Sequence, residues 1–373
     1  MDFTLTNEQE LLRDGLSKYL STRYDLEKSR SAAKTGAGWQ PEIWRGFAEE
    51  LGILGAGLPE DVGGIGGGPV ETMVIAEALG HALVIEPYID TAVVAAGLLL
   101  RAGGPAATAL LEKIADGSAI VALAATEAES GDDWQGVTTE ARRDGPGWVL
   151  HGEKIVVMNA PLATHLLVTA RTPDEGVSLF LLEPDRPGLR AHGYRTIDDR
   201  RAADLVFDGV QVSADALLGA AGGAGPSLAQ ARDEGAAAVC SEAVGGMRKV
   251  VADTVEYCRQ RQQFGQPIGS FQALQHRMVD MHMELEQSVA ATYLAVLKLG
   301  AEPAERARAL SAAKVTVGRA ARFVGQNAVQ LHGGMGMTEE LAIGHYFKRL
   351  TAVQYEFGST DHHLKRYARL TRS

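Results

Sequence analysis

The sequence predicts a mainly α-helical protein with a central β-barrel, ordered as helices, then strands, then helices again. Three observations carry this. Leu11, Leu12, Leu16 and Tyr19 recur at helical spacing near the start. Short β-prone runs separated by Gly, Pro and Asp fill the middle. From Pro226 the chain becomes Ala-rich and long helical runs return. With 373 residues it exceeds the size at which one core keeps growing, so several cooperating subdomains are expected. Their boundaries fall at residues 1–118, 119–219 and 220–373.

In the first segment, Thr6, Asn7, Glu8 and Gln9 offer capping chemistry before the first apolar stripe. Further helical stretches surround Ile43–Leu51, Val70–Leu79, Ala92–Leu100 and Ala107–Ile114. The glycine run at 63–68 has no strand before it and no Lys-Ser/Thr after it, so it reads as a flexible connection and not a phosphate loop. The middle segment offers β-prone runs at Ala119–Ala124, Val137–Ala141, Trp148–Leu150, Lys154–Val157, Leu166–Thr169, Val177–Leu182 and Asp204–Phe207. Their near-regular spacing predicts a small antiparallel barrel or sandwich. Helices are expected over Leu228–Gln260, Gln272–Leu299, Pro303–Leu331 and Glu340–Phe357, packed as a C-terminal four-helix bundle.

Composition removes several functions. Net charge is −11, from 36 basic and 47 acidic residues, so no basic field gathers phosphates and neither nucleic acid nor an anionic membrane is an expected partner. Cys240 and Cys258 cannot build a disulfide framework, and both read as small buried residues suited to a reducing cytoplasm. There is no long apolar run and no apolar leader after Met1, so a soluble cytoplasmic protein is expected.

Two stretches stand out. In the first, an Arg-bearing helix ends at Arg261-Gln262-Gln263-Phe264-Gly265-Gln266-Pro267-Ile268, where Pro267 bars its continuation. A guanidinium at a helix end suits a diphosphate, since it offers two parallel charge-assisted hydrogen bonds. Taken alone, an Arg-rich solvated helix end is the commoner reading. The second is Gln330-Leu331-His332-Gly333-Gly334-Met335-Gly336. Its paired glycines admit a ligand close to the backbone, or simply cap a helix. His332 keeps no metal-ligand spacing with another His or Cys, and the adjacent His362 and His363 face different sides of a helix, so no metal is expected.

Taken together, Arg-x-Gln-Phe-Gly-x-Pro-Ile and the later Gln-x-x-Gly-Gly-x-Gly resemble the acyl-CoA dehydrogenase family. The resemblance covers the whole chain. It extends through Leu54–Gly64, Ala125-Thr126-Glu127 with Ser130-Gly131-Asp132, Leu150–Lys154 and Val206–Gly219. It implies an N-terminal helical domain, a β domain and a C-terminal bundle, with FAD as cofactor and an acyl-CoA thioester as substrate. It also implies a carboxylate base, transfer of electrons to an electron-transfer flavoprotein, and a homo- or hetero-tetramer. In such enzymes the adenosine diphosphate half of FAD reaches a neighbouring subunit. Arg261, Gln263, Phe264 and Ile268, then Gln330, Leu331, Gly333 and Gly334, match that cross-subunit site, with Arg261 on the pyrophosphate. Thr126 and Thr360 complete the expected cofactor-binding set.

The sequence departs from this pattern at the base. Aligning Thr360 and Arg349 with their family counterparts places Gly358 at the base, while counting from Gln330 lands on Phe357. Neither carries a carboxylate. The alternative family position, counted back from Tyr257, is Gly235, with Ala236 where an Arg often stands and Arg232 one turn away. The flavin-covering strand reads Val156-Val157-Met158-Asn159 where the family commonly has Trp-Ile-Thr-Asn. No catalytic residue is therefore assigned. The pattern is similar to that of the small, base-lacking subunits of two-gene acyl-CoA dehydrogenases, such as pimeloyl-CoA dehydrogenase. The alternatives are a self-sufficient homotetramer with an unusual base (Glu356, Asp361 or Glu242), or a non-enzymatic acyl-CoA-binding protein on the same fold.

Overall fold

A computed structural model describes residues 4–35, 38–173 and 176–372. In chain order the elements begin with α1 (Asn7–Arg23), α2 (Leu26–Lys34), α3 (Pro41–Glu49), α4 (Pro69–His81), α5 (Ala96–Ala102) and α6 (Pro105–Ala115). The strands are β1 (Val121–Ala124), β2 (Glu140–Asp144), β3 (Gly147–Met158), β4 (His165–Thr172), β5 (Gly176–Leu182), β6 (Leu189–Arg195), β7 (Arg201–Val212) and β8 (Leu217–Leu218). Then come α7 (Gly225–Gln260), the hairpin strands β9 (Gln262–Gln263) and β10 (Gln266–Pro267), α8 (Gln272–Leu297), α9 (Pro303–His332), α10 (Ala342–Ala352) and α11 (Thr360–Arg372). The chain forms two compact units, one of residues 29–68 and 85–235, the other of residues 1–28, 69–84 and 236–373.

The first unit holds an eight-stranded sheet in the order β6-β7-β3-β2-β4-β5-β8, with β1 added beside β4. This corrects the expected barrel: among the described residues no sheet is closed, because the terminal strands β6 and β8 pair on one side only. β8 is two residues long and too short to make a closing ladder, and β6 carries Arg190, His192 and Arg195 along a largely exposed edge. Nor is the sheet purely antiparallel, since β1 and β2 both run parallel to β4. The two runs expected around Leu150 and Lys154 are one strand, β3, with register breaks at Leu150/His151 and Lys154/Val157. The core beneath the sheet includes Leu150, Val168, Phe180 and Phe207. Trp148 meets Phe180 edge-on at 5.6 Å.

In the second unit, Thr6 caps α1. Its Oγ1 accepts from the Gln9 amide at 3.3 Å, and the Gln9 side chain accepts from the Thr6 amide at 3.0 Å. α4 crosses α7 backbone against backbone at Gly80 and Gly245. A Cβ on Gly80 would lie 1.9 Å from the Glu242 carbonyl oxygen, and one on Gly245 would lie 1.8 Å from that of Glu77. Only glycine permits this approach. Met73, Val74, Ala237, Val296 and Leu310 fill the core there, with Phe357 packed against it. No helix among the described residues is long and apolar enough to cross a membrane. Cys240 and Cys258 are buried free thiols.

Candidate functional site

α7 ends in a tight hairpin. The Arg261 amide donates to Tyr257 O and the Ile268 amide to Arg261 O, both at 2.8 Å. Gln263 pairs with Gln266, and Gln262 with Pro267. The turn residues Phe264 and Gly265 both take positive φ, +54° and +79°, as a two-residue hairpin requires. Phe264 stands 91% exposed at the tip, edge-on to Phe271 at 6.1 Å. Arg261 and Gln263 are exposed and Ile268 is half-buried. Among the described residues the Arg261 guanidinium has no carboxylate partner.

The second motif lies beside the first. The Tyr257 and His332 rings stack at 4.3 Å, and the Tyr257 hydroxyl reaches His332 O at 3.5 Å. His332 bonds through Nδ1 to Ala328 O at 2.8 Å, and burial lowers its pKa, so it is a neutral packing residue. No group of His, Cys, Asp or Glu among the described residues is arranged to hold a metal. Leu331 is buried, Gln330 is exposed, and Gly333 takes φ +61°. Side chains added at Gly333 or Gly334 would enter open space. The stack thus brings an unpaired guanidinium and a bare glycine turn into one neighbourhood at the ends of α7 and α9.

The region expected to supply a base is built differently. Arg349, 4% exposed, is clamped between two carboxylates. Its Nε and Nη2 donate to Glu242 at 2.9 and 2.6 Å. Nη2 also donates to Glu356 at 2.8 Å, and Nη1 bonds the other Glu356 oxygen. Phe357 has φ +55° and packs on the apolar core of this unit. Gly358 has φ +106°, and a Cβ there would sit 2.7 Å from His363 Nε2. His363 is fully buried. Burial pushes its pKa down to about 3, and the neutral ring donates from Nε2 to Phe357 O at 3.0 Å while Nδ1 lies 3.3 Å from Ser311 Oγ. The buried Lys314 ammonium donates to Val353 O at 2.7 Å and Gly358 O at 3.1 Å. Asp361 is exposed at the start of α11. The Thr360 hydroxyl is buried and turned toward Gly318, where an added Cβ would approach it to 2.7 Å.

In the sheet unit, the Thr126 carbonyl accepts from the Ile155 amide at 2.9 Å and its side chain is half-buried. The next residue, Glu127, anchors the only lysine of β3. Lys154 Nζ donates to Glu127 at 2.7 Å and to Thr169 Oγ1 at 2.9 Å. Burial alone would raise the Glu127 carboxyl, but hydrogen bonds from Lys154, Thr139 and Thr138 outweigh it and hold it at about 2. Burial brings Lys154 down to about 8, which leaves both groups charged at neutral pH. The Val156 amide donates to Asp204 at 2.9 Å. Asn159 donates to Asp90 at 2.6 Å. Beside Gly235, Glu234 is held by Arg101 at 2.7 and 3.0 Å, and Arg232 bonds the Asp132 carbonyl and lies over Trp134. Glu234 and Arg232 are therefore engaged within the unit.

Three family models match this chain: "Acyl-CoA dehydrogenase, N-terminal domain" over residues 6–118, "middle domain" over 122–210 and "C-terminal domain" over 226–370. The acyl-CoA dehydrogenase FadE12 of Mycobacterium tuberculosis is 30% identical over 362 residues, 91% of this chain and 90% of that one. The chain belongs to the acyl-CoA dehydrogenase family. The fold agrees. The ChsE4-ChsE5 complex from Mycobacterium tuberculosis and the FAD complex of PigA each superpose with a TM-score of 0.91 at 26% identity, covering 100% of this chain and 99% of that chain. As an acyl-CoA dehydrogenase chain, it is notable for what sequence reasoning missed. Arg349 served there only as an alignment landmark, and Lys314 and the Tyr257–His332 stack were not singled out. Both stacking residues lie inside or beside the two motifs, which is the one signal that could have found the contact.

Proposed function

We propose that this chain is the base-lacking subunit of an FAD-dependent acyl-CoA dehydrogenase, recognising the adenosine diphosphate half of FAD for a partner chain that holds the base. The observation that carries this reading is the turn at Phe357-Gly358. Phe357 is spent on core packing, and Gly358 combines a positive φ with a His363 ring where any side chain would begin. The neighbouring acids Glu242 and Glu356 are both engaged by one buried guanidinium. One relative of known structure, the ChsE4-ChsE5 complex, supports a two-chain assembly, and the FAD complex of PigA supports the cofactor.

The residues at the ends of α7 and α9 fit a dinucleotide. Arg261 is an exposed cation without a carboxylate partner, and the Gly333-Gly334 backbone is bare, with room for a group to approach. Arg261 would bind the pyrophosphate through paired charge-assisted hydrogen bonds, and Gln263, Gln330 and the glycine turn would order the ribose and adenine. Phe264, Ile268, Leu331, Thr126 and Thr360 remain in this proposal as supporting positions. When bound, FAD supplies the hydride acceptor for α,β-desaturation of the acyl-CoA, with an electron-transfer flavoprotein as the next acceptor. Removal of the α-proton falls to the partner's carboxylate, since an α-proton beside a thioester yields only to a placed base in a water-free site.

The test is expression of this chain alone and together with a homologous chain that carries the carboxylate. The expected result is little flavin and no acyl-CoA oxidation alone, and both in the pair. Full turnover by the isolated chain would sink the proposal, and loss of that turnover in Glu356→Gln, Asp361→Asn or Glu242→Gln would identify the base.

A further inference from the structure

Within the unit of residues 1–28, 69–84 and 236–373, α1, α4, α7 and α8 line a half-open pocket of about 520 Å³. That volume lies inside the ~300–1,000 Å³ range of small-molecule sites. None of the expected flavin or base residues lines it. Its walls are mainly apolar, with Leu5, Met73, Val74, Val289 and Tyr293 among them. One wall is rigid, because α4 and α7 touch backbone to backbone at Gly80 and Gly245.

One polar group facing the cavity is unsatisfied. Thr292, 3% exposed, has a buried hydroxyl with no hydrogen-bond partner. Buried hydroxyls inside helices ordinarily turn back to the carbonyl one turn earlier. Ser288, one turn before it on α8, does so, donating to Glu284 O at 2.8 Å. Thr292 does not, and an unmet buried hydroxyl costs free energy unless something else pairs with it. Both arginines at the cavity are paired with carboxylates. Arg248 bonds Glu77 at 2.6 Å, Arg13 bonds Asp14 at 3.0 Å, and Glu286 lies 4.0 Å from His282. Among the described residues no unpaired arginine or lysine lines it to receive an anionic head group.

We propose that this cavity binds a neutral aliphatic molecule with one carbonyl oxygen, a medium-chain ketone or ester, whose oxygen accepts a hydrogen bond from the Thr292 hydroxyl. The apolar walls take the chain, and the single donor fixes its polar end. This site is independent of the flavin reading, so either can fail without the other.

Calorimetric titration of the native assembly with 2-nonanone tests it, with nonanoate as the charged counterpart. The ketone should bind saturably, and nonanoate at least about tenfold more weakly, because its charge would enter a cavity without a free cation. Thr292→Val keeps the shape and removes the donor, and should weaken ketone binding about fivefold, the worth of one neutral hydrogen bond. Ala290→Phe should fill the space and abolish binding, while circular dichroism and flavin content stay as in the wild type. No saturable binding up to about 1 mM would overturn the proposal. So would equal binding of nonanoate, or binding by both variants as tight as that of the wild type.

Discussion

Replacing Arg349 by Met should be among the most damaging single changes in the chain. The guanidinium is 4% exposed and neutralises Glu242, which is 3% exposed, together with the partly buried Glu356. Methionine fills similar volume and removes the charge, so two carboxylates would face each other with no cation between them. Removing one partner of a buried ion pair costs about 3–5 kcal/mol, a large part of a typical domain's ~5–15 kcal/mol. Urea unfolding followed by circular dichroism would read this as a lower midpoint at unchanged slope. Arg349→Lys should recover little, because one ammonium cannot serve two carboxylates in the fork geometry observed. The triple change Arg349→Met with Glu242→Gln and Glu356→Gln should recover at least about 2 kcal/mol, since it removes the stranded charges. A loss below about 1 kcal/mol for Arg349→Met would refute the claim that this cluster is a tightly held structural element, and would return Glu356 to the candidates for a base.

Three further outcomes are expected. Arg261→Ala should weaken FAD retention by the assembled enzyme about 10–100-fold, the worth of a charge-assisted pair, with no change in the melting temperature of the apoprotein; equilibrium dialysis measures it. Gly358→Glu should not create a base, because φ +106° and the His363 ring obstruct the side chain; it should cost about 1–2 kcal/mol or more and give no acyl-CoA oxidation by the chain alone. Glu86, whose carboxyl burial raises to about 7 against 4.5 for an ordinary one, favours folding fully below about pH 4.5, and that contribution is lost as pH rises through 7. Glu86→Gln should therefore remove about 3 kcal/mol of decline between those limits, seen by comparing unfolding midpoints of variant and wild type across the range.

Much of the helical architecture could be read along the chain, because long amphipathic stretches declare themselves locally. The Thr6 cap with its Gln9 partner, and the helix break at Pro267, are of this kind. Strand pairing is non-local, and there the reading failed. Regular short runs suggest a small antiparallel barrel or sandwich, but nothing in Val121–Ala124 or Glu140–Asp144 reveals that each strand lies parallel to β4. β6 was not anticipated because its edge position leaves it polar, without the alternation that marks a half-buried strand. At the candidate site, residue types flagged Arg261 and the glycine pair, while their proximity depends on the Tyr257–His332 stack. That Phe357-Gly358 carries no carboxylate is legible in the sequence. That the turn is closed to one, by Lys314 on its carbonyls and His363 on its inner face, depends on contacts between α9, α11 and the segment before α11.

The most direct measurement is the ratio of flavin to polypeptide in the purified, active assembly, taken from the flavin absorbance and the amino-acid content of the same sample. A chain that lends a dinucleotide grip and no base predicts half as many flavins as chains, with all turnover lost when the partner's carboxylate is changed to an amide. As many flavins as polypeptide chains, with turnover in the absence of any partner, would contradict it.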